Sequence, residues 1–120
     1  MAKMANNMDA AIELRCRQKV LVLKALAHPS RLAIFETLAE GERCVCDLQK
    51  LVQSDLSTVS KHLALMKRAG VVTDRREGAR IFYRLRIPCL LRFTDCIETV
   101  VLRGAIAANE KPDHIGCSAK

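Results

Sequence analysis

Apolar residues recur at helical spacing over residues 8–27, where Ala11, Leu14, Val20, Leu21, Leu23, Leu26 and Ala27 predict a first helix. The pair His28-Pro29 breaks it, because a residue that precedes proline is driven towards extended backbone. A second helix is predicted over 30–39, with Leu32, Ile34, Phe35 and Leu38 apolar and Gly41 in the closing turn. Residues 45–52 predict a short third helix, with Cys44 at its N-cap and Leu48, Leu51 and Val52 turned to the core. Gln53-Ser54-Asp55 is a short polar link, after which Ser57 is expected to cap a fourth helix over 58–69 that stops at Gly70. Within that helix Val59, Leu63 and Met66, spaced by four and three, form one buried stripe. Two short helices joined by a tight turn match the helix-turn-helix pattern.

The periodicity then changes. Residues 71–76 and 80–85 are rich in β-branched and aromatic side chains and flank Glu77-Gly78-Ala79, which predicts a hairpin. A basic hairpin directly after a helix-turn-helix is a wing. Pro88 suits the first turn of a last helix, predicted over 88–108. Its Leu90, Leu91, Phe93, Ile97, Val100, Val101 and Leu102 exceed what one core face requires. That helix and the first are therefore the expected surfaces of a homodimer. The predicted fold class is mainly α with a β-hairpin wing (α+β), a dimeric winged helix-turn-helix over 8–108 with flexible ends at 1–7 and 109–120.

A chain of 120 residues fits one small domain, which a dimer would help to bury more surface. No apolar run reaches the ~18 residues needed to span a bilayer, and the polar start lacks a signal-peptide core. A cytoplasmic protein with no membrane partner is expected. The net charge of +7 points to a polyanionic partner. Between Ser54 and Arg86 eight positive residues face three negative ones, so an excess of five charges sits in the helix-turn-helix and wing. Only three Phe and one Tyr are present. Single-strand binders stack bases on several aromatics, whereas a duplex read through its groove needs none. Double-stranded operator DNA is the expected partner. Ser57, Thr58, Ser60, Lys61 and His62 lie at the start of the recognition helix, the part that enters the major groove. Arg75, Arg76 and Arg80 on the wing would grip backbone or minor groove. An enzyme such as a thiol-dependent reductase is not expected. No Cys-x-x-Cys lies beside a βαβ pattern, and the five glycines build no phosphate-cradling loop.

The six cysteines are Cys16, Cys44, Cys46, Cys89, Cys96 and Cys117. In a reducing cytosol a structural disulfide framework is not expected. Cys44 and Cys46 are two apart, which in mid-helix would turn the sulfurs ~200° from each other. At a helix N-terminus that constraint relaxes, and free amides there favour negatively charged sulfur. Cys89 and Cys96, seven apart, would share one face of the last helix about two turns, ~10.5 Å, from each other. That separation is too long for one ion, so either would instead complete a site begun by Cys44 and Cys46, from the same or the other subunit. Cys16 is a weaker donor, and Cys117 in the tail is incidental.

These motifs resemble a known family. Lys24-Ala25-Leu26-Ala27-His28-Pro29-Ser30-Arg31-Leu32-Ala33-Ile34 is similar to the opening signature of the ArsR/SmtB metalloregulators. Residues 56–72 resemble that family's recognition-helix segment, and residues 75–85 its wing. The resemblance runs in register over about residues 20–86. It implies a dimeric winged-helix repressor that binds an operator of a resistance operon until an inducer releases it. Cys44-Val45-Cys46-Asp47-Leu48 resembles the metal-binding box of the arsenic- and antimony-responsive branch, shared with cadmium- and lead-responsive members. The best-known arsenic sensors carry a further cysteine where this chain has Gln49, so a third sulfur must come from elsewhere or the inducer differs. Thiolates without histidine or carboxylate partners select soft ions. Three sulfurs suit trivalent arsenic or antimony, and four suit cadmium, lead or zinc. His28, His62 and His114 do not cluster at a metal spacing, and His62 is assigned to the DNA face. The expectation is a repressor released by trivalent arsenic or antimony. Cadmium, lead or zinc in a cysteine site, or a thiol-redox switch, stand as alternatives.

Overall fold

The computed structural model describes residues 9–106. The ends expected to be flexible, with His114, Cys117 and the predicted close of the last helix near residue 108, lie outside that range. The order is α1 (Ala10–Leu26), α2 (Pro29–Leu38), β1 (Arg43–Cys44), α3 (Val45–Val52), α4 (Leu56–Arg68), β2 (Val72–Glu77), β3 (Arg80–Leu85) and α5 (Leu90–Ile106). Residues 9–87 and 88–106 form separate compact units. The first carries α1 to β3 and the second carries α5.

In the first unit, α2, α3 and α4 close over a core of Ile34, Phe35, Leu38, Leu48, Val59, Leu63 and Met66. Ala25 and Leu26 join it from the end of α1, and Val71 and Val72 from the start of the wing. The stripe predicted on α4 is the one that is buried. On α3 the outcome is divided. Leu48 is fully buried, but Leu51 is 43% exposed, a departure from the expected core face. Leu51 lies on the same side of α3 as Leu48 but beyond the part that neighbouring elements cover.

Local chemistry sets the ends of these elements. Helix α2 begins on Pro29, whose missing N–H is no loss in a first turn, and His28 is its N-cap. The His28 Nδ1 accepts a hydrogen bond from the Ser30 amide at 3.0 Å. Helix α3 ends on Gln53 in the left-handed region at φ 52°, which turns the chain into the three-residue link. The cap of α4 differs from expectation. It is Asp55 rather than Ser57, and its Oδ1 accepts from the Thr58 amide at 2.8 Å. A carboxylate three residues before that amide reaches it, whereas Ser57 is already inside the helix, its Oγ donating to Asp55 Oδ1 at 3.4 Å. Helix α4 closes in a Schellman turn, with Gly70 N to Lys67 O at 3.0 Å and Val71 N to Met66 O at 3.0 Å. Gly70 takes φ +84° there, which a side chain would strain.

The sheet has the order β1-β3-β2, all antiparallel. The hairpin turns at Gly78, φ +66°, and pairs Glu77 with Arg80, Arg75 with Phe82 and Val72 with Leu85. The two-residue strand β1 was not expected. It pairs Arg43 with Tyr83 and Cys44 with Phe82, so the wing is joined to the segment that enters α3. In the second unit, Pro88 and Cys89 form a turn before α5 instead of its first helical residues; their carbonyls accept from the Leu91 and Arg92 amides.

Both helices expected at a dimer surface expose apolar side chains. On α1, Leu14, Val20, Leu21 and Leu23 are exposed, and on α5, Phe93, Ile97, Val100, Val101 and Leu102 are. We expect Leu48→Ala to destabilise the fold by about 2–5 kcal/mol, as a cavity in a closed core does. Leu51→Ala should stay within about 0.5 kcal/mol. Urea unfolding followed by circular dichroism checks both.

Candidate nucleic-acid interface and thiol site

The recognition helix is α4. At its start Ser57, Ser60 and Lys61 are exposed, while Thr58 is half-buried. The Asp55 carboxyl is held below its ordinary range, first by the Thr58 amide and then by the Thr58 hydroxyl, Ser57 and the Lys61 charge, against the opposing effect of burial. On the wing, Arg76 and Arg80 are exposed, and among the described residues no hydrogen bond or ion pair holds either side chain. Lys67, on the last turn of α4, pairs with Asp74 of β2 at 3.1 Å and ties the helix to the wing.

Two of the expected DNA contacts also have partners within the protein. The His62 ring lies 4.5 Å, centroid to centroid, from that of His28. Arg31 Nη1 donates to His62 Nδ1 at 3.1 Å. Arginine has only donors, so Nδ1 is the acceptor and the imidazole is neutral with its proton on Nε2. Burial, then the charges of His28 and Arg31, push the His62 pKa below its usual value. Arg31 also donates from Nε to Ala25 O at 2.8 Å and from Nη2 to Lys24 O at 3.2 Å. One guanidinium thus satisfies the last carbonyls of α1 and holds a side chain of the recognition helix. His62 is therefore tied into the packing of α4 by Arg31 and His28.

Arg75 is the second. It grips Glu42 with two hydrogen bonds, Nε to Oε2 at 2.9 Å and Nη2 to Oε1 at 2.8 Å, and Glu77 through Nη1 at 2.9 Å. Its guanidinium also lies 4.7 Å from the centre of the Phe82 ring. The hydrogen bond from Arg75 holds the Glu42 carboxyl below the ordinary carboxylate range, with burial opposing and the charges of Arg75 and Arg84 assisting. Arg75 is correspondingly held more firmly protonated by both carboxylates. Two negative partners and an aromatic face leave Arg75 poorly placed to grip a phosphate.

Cys44 is the N-cap of α3 and pairs in β1; it is only 7% exposed and its side chain makes no capping hydrogen bond. Cys46, one residue into the first turn, is exposed. The two sulfurs therefore belong to one helix start but to different surroundings. Cys16 on α1 and Cys89 are exposed, and Cys96 on α5 is half-buried. Because Cys89 precedes α5, the shared helix face expected for Cys89 and Cys96 does not form. Among the described residues, no three His, Cys, Asp or Glu side chains converge as a group able to hold a metal ion. The start of α3 thus carries two thiols, one buried and one exposed. No helix among the described residues is long and apolar enough to cross a membrane.

Arg31, Glu42, Asp55 and Phe82 were not singled out from the sequence. Asp55 had a signal, an N-cap residue just before an apolar helical run. Glu42 and Arg75 lie 33 residues apart, and no local pattern links them.

Residues 28–74 match the family of bacterial regulatory proteins described as the arsR family. Over 75 residues the chain is 43% identical to the biofilm growth-associated repressor of Agrobacterium fabrum, covering 62% of this chain and 64% of that protein. Over 92 residues it is 35% identical to the arsenic resistance transcriptional regulator ArsR1 of Pseudomonas putida, covering 76% of this chain and 68% of that protein. The chain spans about half to two thirds of the length of several curated relatives that it matches. Among solved structures, it is similar to the homodimeric winged helix-turn-helix DNA-binding domain of a possible ArsR-family transcriptional regulator from Mycobacterium bovis. The TM-score is 0.71 at 30% identity, covering 88% of this chain and 96% of that one.

Neutral His62 makes the seat of the recognition helix pH-sensitive. A histidine whose folded pKa is lowered contributes stability that is complete above the unfolded value near 6.5 and is lost as pH falls through the folded one. Thermal unfolding should therefore shift to lower temperature as pH falls below the unfolded value of about 6.5. His62→Gln should flatten the part of that profile that belongs to this imidazole.

Proposed function

Since the chain belongs to the ArsR family of bacterial regulatory proteins, we propose that it is a homodimeric transcriptional repressor that binds operator DNA and is released by trivalent arsenic or antimony at its cysteines. The observation that carries the reading is the position of Cys44. Its thiol lies at the junction of the wing sheet and the first helix of the helix-turn-helix, so a change there reaches both DNA-facing elements.

Operator contact is assigned to Ser57, Thr58, Ser60 and Lys61 in the major groove and to Arg76 and Arg80 on the wing. Thr58 and Ser57 also serve the Asp55 cap, so their part is to position the helix start as well as to meet the DNA. The exposed apolar faces of α1 and α5 are assigned to the second copy. Patches of this kind on a small chain mark an interface.

Cys44 and Cys46 would supply two thiolate ligands, and Cys89 or Cys96 the third, an assignment made on sulfur chemistry. Trivalent arsenic and antimony accept three sulfurs in a pyramid and supply, when bound, a fixed constraint on those side chains. The rest is done by the chain. Cys44 cannot shift without moving the first turn of α3 and the β1–β3 pairing, and the inducer acts only by binding that altered form more tightly.

The arsenic resistance regulator of Pseudomonas putida supports this choice of inducer through the relative's name, and the Cys44-Val45-Cys46 box supports it through its thiols. Arsenite is expected to weaken operator binding about 5- to 150-fold in a fluorescence anisotropy titration. Cys44→Ser and Cys46→Ser should each bind the operator but lose that response. A normal response in Cys44→Ser would remove the thiol assignment.

Salt should also weaken the complex, with log K falling by roughly 0.9 per decade of salt for each phosphate neutralised. Lys61→Gln and Arg80→Gln should each lower that slope by about one. Arg75→Gln should leave the slope nearly unchanged, because its charge is already matched by carboxylates.

A further inference from the structure

Residues paired directly across antiparallel strands point to the same side of a sheet. Cys44 is opposite Phe82 and Phe82 is opposite Arg75, so the three form one row across β1, β3 and β2 on one face. The row is closed by an ion pair. Arg75, seated over the Phe82 ring, is held in a bidentate grip by Glu42, which lies two residues before Cys44. The segment that carries the thiol is therefore tied to the outer strand of the wing twice, once through the sheet ladder and once through side chains. Exposed ion pairs contribute little net stability, and Arg75 and Glu42 are both partly exposed. What a bidentate grip does provide is a defined geometry.

We infer that the Glu42–Arg75 ion pair is the link through which a change at Cys44 sets the position of the wing. This rests on the reading of Cys44 as an inducer ligand only for the inducer itself, since the row exists without one. Glu42 and Arg75 are then positioning residues. When the Cys44 backbone or side chain shifts, Glu42 shifts with it, and Arg75 draws β2 along while its contact with Phe82 adjusts. The exposed wing arginines, Arg76 beside it and Arg80 across the turn, ride on the same hairpin. Without Glu42, the side-chain tie between the Cys44 segment and β2 is lost, and the two-residue ladder of β1 and the packing of α3 on β3 remain.

The test uses the full-length protein and the Arg75 Nε–H signal in a nitrogen–proton NMR spectrum, assigned by its loss in Arg75→Lys. In a first arm without inducer, Cys44→Met enlarges a member of the row and should shift that signal. Cys46→Met, at an exposed position off the row, should leave it in place. If Cys44→Met does not fold, Cys44→Val carries the comparison with a smaller shift. An Arg75 signal that ignores the Cys44 substitution overturns the proposal, whether or not arsenite binds.

In a second arm, sodium arsenite is added to wild type and to Glu42→Gln. Thiol titration should show the same sulfurs occupied in both, and inducer-free operator affinity should agree within about threefold. The arsenite-driven loss of affinity should fall in Glu42→Gln to less than a third of the wild-type fold-change. An equal fold-change overturns the link. A wild type that ignores arsenite while Cys44→Met still moves Arg75 refutes the inducer assignment and sustains the coupling.

Discussion

The backbone of Cys44 has two obligations at once. It pairs with Phe82 as the end of β1, and it is the extended residue from which α3 starts. Nearly everything functional in the first unit follows from that double role. The first helix of the helix-turn-helix cannot be re-aimed without disturbing the wing, and the wing cannot swing without pulling on the helix start. A thiol at this junction is a lever on both. The N-cap side chain makes no hydrogen bond of its own to the helix, so it can be engaged by another partner without an existing cap being broken.

The recognition helix is held by a different set of contacts. Its start is fixed by Asp55, its end by the Schellman turn at Gly70, its buried face by Val59, Leu63 and Met66, and its flank by Arg31 through His62. Arg31 in turn closes the end of α1, a helix that carries exposed apolar surface. Of the residues proposed to meet DNA, Ser57 and Thr58 also serve the Asp55 cap, while Ser60, Lys61, Arg76 and Arg80 have exposed side chains. Charge counting along the chain treats all arginines alike. The structure separates those that hold the fold in shape, Arg31 and Arg75, from those that extend into solvent.

Most of the architecture was legible in the sequence because it is local. The helical period of α4, the glycines at 70 and 78 and the proline at 29 each act within a few residues, and each forms the element it predicts. What the pattern could not supply depends on partners distant in the chain. Strand β1 is two residues long and exists only because β3 lies beside it. The grip of Glu42 on Arg75, and of Arg31 on His62, cross 33 and 31 residues. Leu51 read as core because its type is apolar, yet the neighbours of α3 do not reach it. The thiol pair was legible as a motif, but only the fold assigns Cys44 to the buried side of the helix start and Cys46 to the exposed side.

The central claim is that engagement of Cys44 loosens or re-seats the helix start and the wing together. Hydrogen–deuterium exchange on the operator-free protein, with and without arsenite, examines this at the level of single amides. The account predicts that protection changes in concert over residues 43–48 and 80–85, while the α4 core around Leu63 is unaltered. Arsenite that binds and releases DNA with both segments unchanged would contradict it.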